Sequence, residues 1–194
     1  MVQVLKEELR QSILRAAQEE FLQYGYKGAS VKRIAEQVGV SVGNLYRYYA
    51  GKEILFDSIV EPVFRELELV IANHDQRPHQ NENIFELVVQ ALTDLVGKLR
   101  KPLLILIDGS RGTRHEDAVH LLHKTMSDNV AEHLAAYNAK KGKQAYSEQT
   151  AWPVAVAFMQ GYFEIIRHRS DSEDCKKTIQ QYVAFWYEGL REFM

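Results

Sequence analysis

Between Lys27 and Lys52 the chain places five basic residues and one acidic residue, interleaved with Asn44, Tyr46 and Tyr48. Cationic side chains neutralise phosphates, and amide and phenol groups donate or accept hydrogen bonds at phosphate or base edges. An asparagine carboxamide has the donor–acceptor pair that matches adenine. This residue set at this density points to nucleic-acid chemistry. The overall formal charge of −2 conceals it. Residues 1–52 hold eight basic and five acidic residues, a balance of +3, and the remaining residues carry −5. The basic share is therefore local, as a DNA-facing module requires.

Other polar groupings carry weaker chemistry. Glu116, His120 and His123 have i, i+4 and i+3 spacing, so one helical face can present them together, with His115 nearby. Neither a cysteine nor a second carboxylate joins them, and a solvated histidine-rich face is the reading preferred over a metal. The loop 109–114, GSRGTR, lacks the lysine and preceding strand of a phosphate loop and reads as a connector. Lys140, Lys141 and Lys143 read as a solvated turn. No Ser/His/Asp or Cys/His arrangement, paired catalytic carboxylates or phosphate loop can be assembled, so the chain reads as no enzyme, with no cofactor. One cysteine, Cys175, excludes an intramolecular disulfide and a thiolate cluster, and fits a reducing cytoplasm. The longest apolar run, Leu103–Ile107, is far short of a membrane span.

The elements that must position these residues are helical. Proline is absent before Pro62, 3.6-residue periodicity dominates, and strand alternation is missing. The first helix is expected over 3–24, with Leu9, Ile13, Ala16, Ala17 and Phe21 on one face and Gly25 as its stop. Ser30 N-caps a short helix to Val38, Gly39 closes it, and Ser41 caps another over 42–48. A long helix follows from 53 to 72, with a kink expected at Pro62. Further helices are expected over 84–99, 102–108, 116–139, 148–168 and 173–193. The fold class is all-α, with about nine helices.

Two short helices joined by Gly39-Val40-Ser41 and preceded by a longer one have helix-turn-helix form. The second short helix then enters a major groove with its first turn at the base edges. Gly43 lets the backbone approach there, Asn44 can pair with adenine, or with phosphate if it points outward, and Leu45 and Tyr49 face inward. Residues 29–56, ASVKRIAEQVGVSVGNLYRYYAGKEILF, resemble the signature of the TetR family of transcriptional regulators, and with the preceding helix the likeness covers residues 8–56. Tyr49 stands where phenylalanine is commonest in that family, and Asn44 where threonine, serine or alanine is common.

The resemblance implies a DNA-binding domain over 1–52 and a helical regulatory and dimerisation domain over 53–194. Carried over by position, Ser30, Lys32, Val42, Gly43, Asn44, Tyr46, Tyr48 and Lys52 meet DNA. It also implies a cytoplasmic homodimer on a palindromic operator of double-stranded DNA. The dimer acts as a repressor released by a small-molecule effector. An activator of the same family, or a helical interaction protein without DNA binding, are the alternatives.

The last two helices are apolar over more than one stripe, which one-sided burial does not require. Pairing with a second copy explains the excess, through Val156, Phe163, Tyr182, Phe185 and Trp186. Gly161 either permits that approach or relieves crowding inside one subunit. A cavity among helices 54–72, 84–99, 116–139 and 148–168 is expected to be lined by Phe64, Phe85, Met126, Phe158, Met159 and Tyr162. Few charges fall on those faces, which favours an apolar or aromatic effector.

Overall fold

The computed structural model describes residues 2–72, 84–169 and 172–190; the side chains of 2–5, 84, 85, 172 and 190 lie outside the described set. Eight α-helices account for the described elements: α1 Val2–Gly28, α2 Val31–Val38, α3 Val42–Tyr46, α4 Lys52–Ala72, α5 Ile84–Gly109, α6 Ala118–Lys141, α7 Ala151–His168 and α8 Ser172–Leu190. A 3-10 turn, Glu148–Thr150, precedes α7. Nine helices become eight because 84–99 and 102–108 are one element. Its backbone leaves helical geometry only at Leu99 (φ −129°, ψ 22°), three residues before Pro102. Proline removes one hydrogen bond and crowds the carbonyl four residues earlier, here that of Lys98. In α4 the helix continues across Pro62.

Packing groups the chain into two compact units, residues 1–64 with 101–118, and residues 65–100 with 119–194. The chain leaves the first unit two residues after Pro62 and returns to it between Leu99 and Pro102.

In the first unit, Ile13, Ala16, Ala17, Glu20 and Phe21 form the buried stripe of α1. Phe21 meets Phe56 edge to face at 5.0 Å, and Tyr26 meets Phe56 at 5.2 Å. Gly25 breaks α1 with φ 61° and ψ 177°, a conformation open essentially to glycine. A Cβ there would lie 3.6 Å from the Gly109 Cα, an ordinary contact, so it is the backbone angle and not space that calls for glycine.

The loop after α5 is tied to α4 by charge. His115, buried, sets Nε2 3.0 Å from Asp57 Oδ1 and 3.6 Å from Glu61 Oε2. Arg114 reaches the same carboxylates, with Nε 3.1 Å from Asp57 and a terminal nitrogen 2.9 Å from Glu61. The Gly112 amide donates to Glu116 Oε2 at 2.8 Å, so an amide that an anion cradle would need is already used.

In the second unit, Ala151, Ala155, Met159, Tyr162, Phe163 and Ile166 are the buried face of α7. The Tyr162 hydroxyl donates to the Leu92 carbonyl at 3.0 Å, fastening α7 to α5. A Cβ on Gly161 would lie 2.2 Å from the Tyr182 hydroxyl oxygen. That hydroxyl donates to the carbonyls of Ala157 (3.1 Å) and Phe158 (2.8 Å). Gly161 is therefore where Tyr182 of α8 crosses α7 within one subunit. Among the described residues no helix is long and apolar enough to cross a membrane.

Candidate nucleic-acid interface

Local chemistry builds the helix-turn-helix. Ser30 is extended, and its Oγ accepts from the Arg33 amide at 3.4 Å; Ser41 is extended, and its Oγ accepts from the Asn44 amide at 3.1 Å. Each cap satisfies one free helix donor, worth about 1 kcal/mol. Gly39 is left-handed (φ 76°). Around it the Val40 amide donates to the Ala35 carbonyl and the Gly39 amide to the Glu36 carbonyl. This double closure ends α2 and turns the chain into α3. Leu45 and Tyr49 are buried and hold α3 on the unit's core.

The residues expected at DNA take distinct positions. Val42 and Asn44 are partly exposed, and Gly43 is exposed. Among the described residues the Asn44 side chain has no partner, and neither do the exposed Tyr46 and Arg47 nor the partly exposed Tyr48. A Cβ on Gly43 would meet nothing within 4 Å. The fold thus gives no reason for a glycine in this first turn, although glycine weakens a helix. Lys32 is exposed, 3.8 Å from Glu36 in a solvated pair of little strength. Lys52 opens α4 with its ammonium 4.6 Å over the Tyr26 ring, where burial lowers its pKa. Ser30 is spent as a cap yet remains partly exposed.

Arg33 belongs to the framework. Glu20, buried, accepts from the Ser30 amide (2.7 Å) and from Arg33 Nε (2.8 Å), and also from an Arg33 terminal nitrogen. That terminal nitrogen also donates to the Gly28 carbonyl at 2.8 Å, and the guanidinium lies 4.5 Å over the Tyr24 ring. Sequence reasoning counted Glu20 only as an acidic residue. Its place in the buried stripe, four residues after Ala16, is the signal that could have found it.

The regulatory candidates separate. Met159 and Tyr162 are buried in the second unit, and Met126 is partly exposed there. Phe64 lies instead in the first unit, its ring 6.3 Å from His115. The Phe85 side chain lies outside the described residues. Phe158, expected in the cavity, stacks on Tyr182 (5.6 Å) and meets Trp186 edge to face (5.8 Å). Phe163, expected at the pairing face, is fully buried in its own subunit against His123 and Tyr162. Phe163 faces the core of its own unit and Phe158 faces α8, because α7 is apolar on both sides. Periodicity finds both stripes without saying which faces in. Phe185 is 75% exposed, Val156 and Trp186 are partly exposed, and an open hollow of about 620 Å³ beside them is lined by Gln181, Ala184, Phe185, Trp186, Glu188 and Gly189. Glu116 is turned to Gly112, and among the described residues no three His, Cys, Asp or Glu side chains group to hold a metal.

Residues 13–59 match the family described as bacterial regulatory proteins, tetR family. The chain is 40% identical over 65 residues to the transcriptional repressor AcnR of Corynebacterium diphtheriae, covering 33% of this chain and 34% of that protein. It is 26% identical over 129 residues to the transcriptional regulator UidR of Escherichia coli K12, covering 64% of each. The alignments thus span about one third and just under two thirds of these relatives. Among solved structures, NalD of Pseudomonas aeruginosa, secondary repressor of the MexAB-OprM multidrug efflux pump, superposes with a TM-score of 0.60 at 20% identity, over 93% of this chain and 95% of that one. These relatives are regulators of transcription.

Proposed function

We propose that this chain, which belongs to the TetR family of bacterial regulatory proteins, is a ligand-responsive repressor that acts in the cytoplasm as a homodimer on a palindromic operator. DNA binding is assigned to residues 1–52, and effector binding and dimerisation to 53–194. The observation that carries the reading is the first turn of α3. Gly43 there faces open space, and the side chains of Asn44, Tyr46, Arg47 and Tyr48, in α3 and just after it, have no partner among the described residues. A duplex backbone fits against a turn without side chains, and free amide and phenol groups match base edges and phosphates. Asn44 reads a base, and Ser30, Lys32, Val42, Tyr46, Tyr48 and Lys52 fix the module on the groove and backbone.

Two copies of α3 then reach successive major grooves about 34–36 Å apart. Val156, Tyr182, Phe185 and Trp186 of α7 and α8 supply the pairing face, supported by the exposure of Phe185 and the apolar hollow beside it. A small apolar or aromatic effector lowers DNA affinity only if it binds the DNA-free state more tightly.

The test is a mobility shift on palindromic DNA taken from beside the chain's own gene, over a range of salt concentrations. A specific shift with a steep salt slope is expected. A folded dimer that shifts no DNA at low salt overturns the reading. Lys52→Ala is expected to weaken all sequences alike, and Asn44→Ala to change which sequence is preferred.

A further inference from the structure

His123, on α6, is 7% exposed, and its Nε2 is buried without a hydrogen-bond partner. Buried polar nitrogens are almost always paired, so an unpaired one asks what group completes it. Its surroundings are aromatic. The Trp152 ring stands perpendicular to the imidazole at 6.1 Å, and the Phe163 ring lies at 6.4 Å. His120, one turn earlier on α6, packs on the same indole at 5.4 Å. Trp152 sits in the first turn of α7 and is 41% exposed although two histidines touch it. The stretch 141–149 before it is exposed throughout. Trp152 thus touches both histidines while part of its ring is open to solvent.

We propose that His123 is the polar anchor of the effector site, which takes a neutral aromatic molecule carrying a hydroxyl group, its ring against Trp152 and Phe163. This assignment rests on the reading of the chain as an effector-controlled regulator. Burial, with His120 adding to it, pushes His123 below the ordinary histidine range and keeps the ring neutral at physiological pH. A neutral imidazole offers one donor and one acceptor, and a hydroxyl, being both, satisfies Nε2 in either tautomer. The neutral ring supplies no cation to hold a carboxylate or phosphate. Flat aromatic walls with a single polar contact are the usual makeup of a small-molecule pocket.

The experiment titrates two probes of the same shape, 4-propylphenol and propylbenzene, into the full chain by calorimetry. The phenol is expected to bind about tenfold more tightly, the worth of one buried hydrogen bond. His123→Phe should abolish the preference while retaining propylbenzene binding, and His123→Gln, which keeps a hydrogen-bonding group, should restore part of it. Trp152→Ala should weaken both probes together. Equal affinity of the wild type for the two probes, no binding of the phenol, or a preference that survives His123→Phe overturns the assignment. The mobility shift is run in parallel. A lost shift with the phenol preference intact defeats the regulator and leaves the site, and a normal shift with equal probe affinities does the reverse.

Discussion

In the unit formed by residues 1–64 and 101–118, the buried carboxylate of Glu20 and the buried ring of His115 meet named partners, and among the described side chains only the Tyr49 hydroxyl is buried and unpaired. In the unit formed by residues 65–100 and 119–194, Thr93 Oγ1, Arg100 Nε and His123 Nε2 are buried and unpaired among the described residues. Each such group costs about 1–3 kcal/mol relative to a satisfied one. A framework that must hold two short helices in a fixed pose gains from closing every polar contact. If the second unit receives an effector, as proposed, its unpaired groups are the ones a ligand would complete.

The largest expected effect breaks the closed side. Glu20→Ala strands the Ser30 amide and releases Arg33, and should cost about 3 kcal/mol in urea denaturation. A loss below about 1 kcal/mol would mean that the first unit does not depend on its closed contacts. Next, Gly43→Ala should raise stability by about 1 kcal/mol, because a Cβ there meets nothing and alanine favours helix. The same change should weaken the DNA shift, so stability and affinity move in opposite directions. If both rise, the turn does not approach DNA.

Thr93→Val removes an unpaired hydroxyl at nearly constant shape and should lie between neutral and about 1 kcal/mol stabilising. A marked loss would show that Thr93 has a partner and would narrow the contrast between the units. The smallest effect is acid sensitivity. His123 binds its proton less readily folded than unfolded, so the unfolded state takes up more protons as the pH drops below 6.5. Its contribution is complete above that pH and declines below it. Wild type should lose more stability than His123→Phe between about pH 7.5 and about pH 5.5, measured as urea midpoints.

What was legible in the sequence was local. Ser30, Gly39 and Ser41 punctuate the chain through caps within three or four residues, and the structure places all three caps as read. The family likeness over 8–56 rests on the same short-range pattern, and the matched stretch 13–59 begins five residues later and ends three beyond it. The break before Pro102 was legible too, although the helix resumes and one element replaces two. Partners far apart in sequence were not legible. Asp57 and His115 are 58 positions apart, and no periodicity links a loop histidine to a helix carboxylate. Nor could α7, apolar on both sides, declare which of Phe158 and Phe163 faces in.

The chain crosses between its two compact units at residues 64/65, 100/101 and 118/119. A chimaera that grafts the first unit onto another protein therefore needs three junctions rather than one. Cutting after Phe64 alone would leave behind Leu103, Ile105, Leu106 and His115, which are buried in that unit. The modular unit for engineering is a discontinuous one, and the segment 101–118 must travel with it.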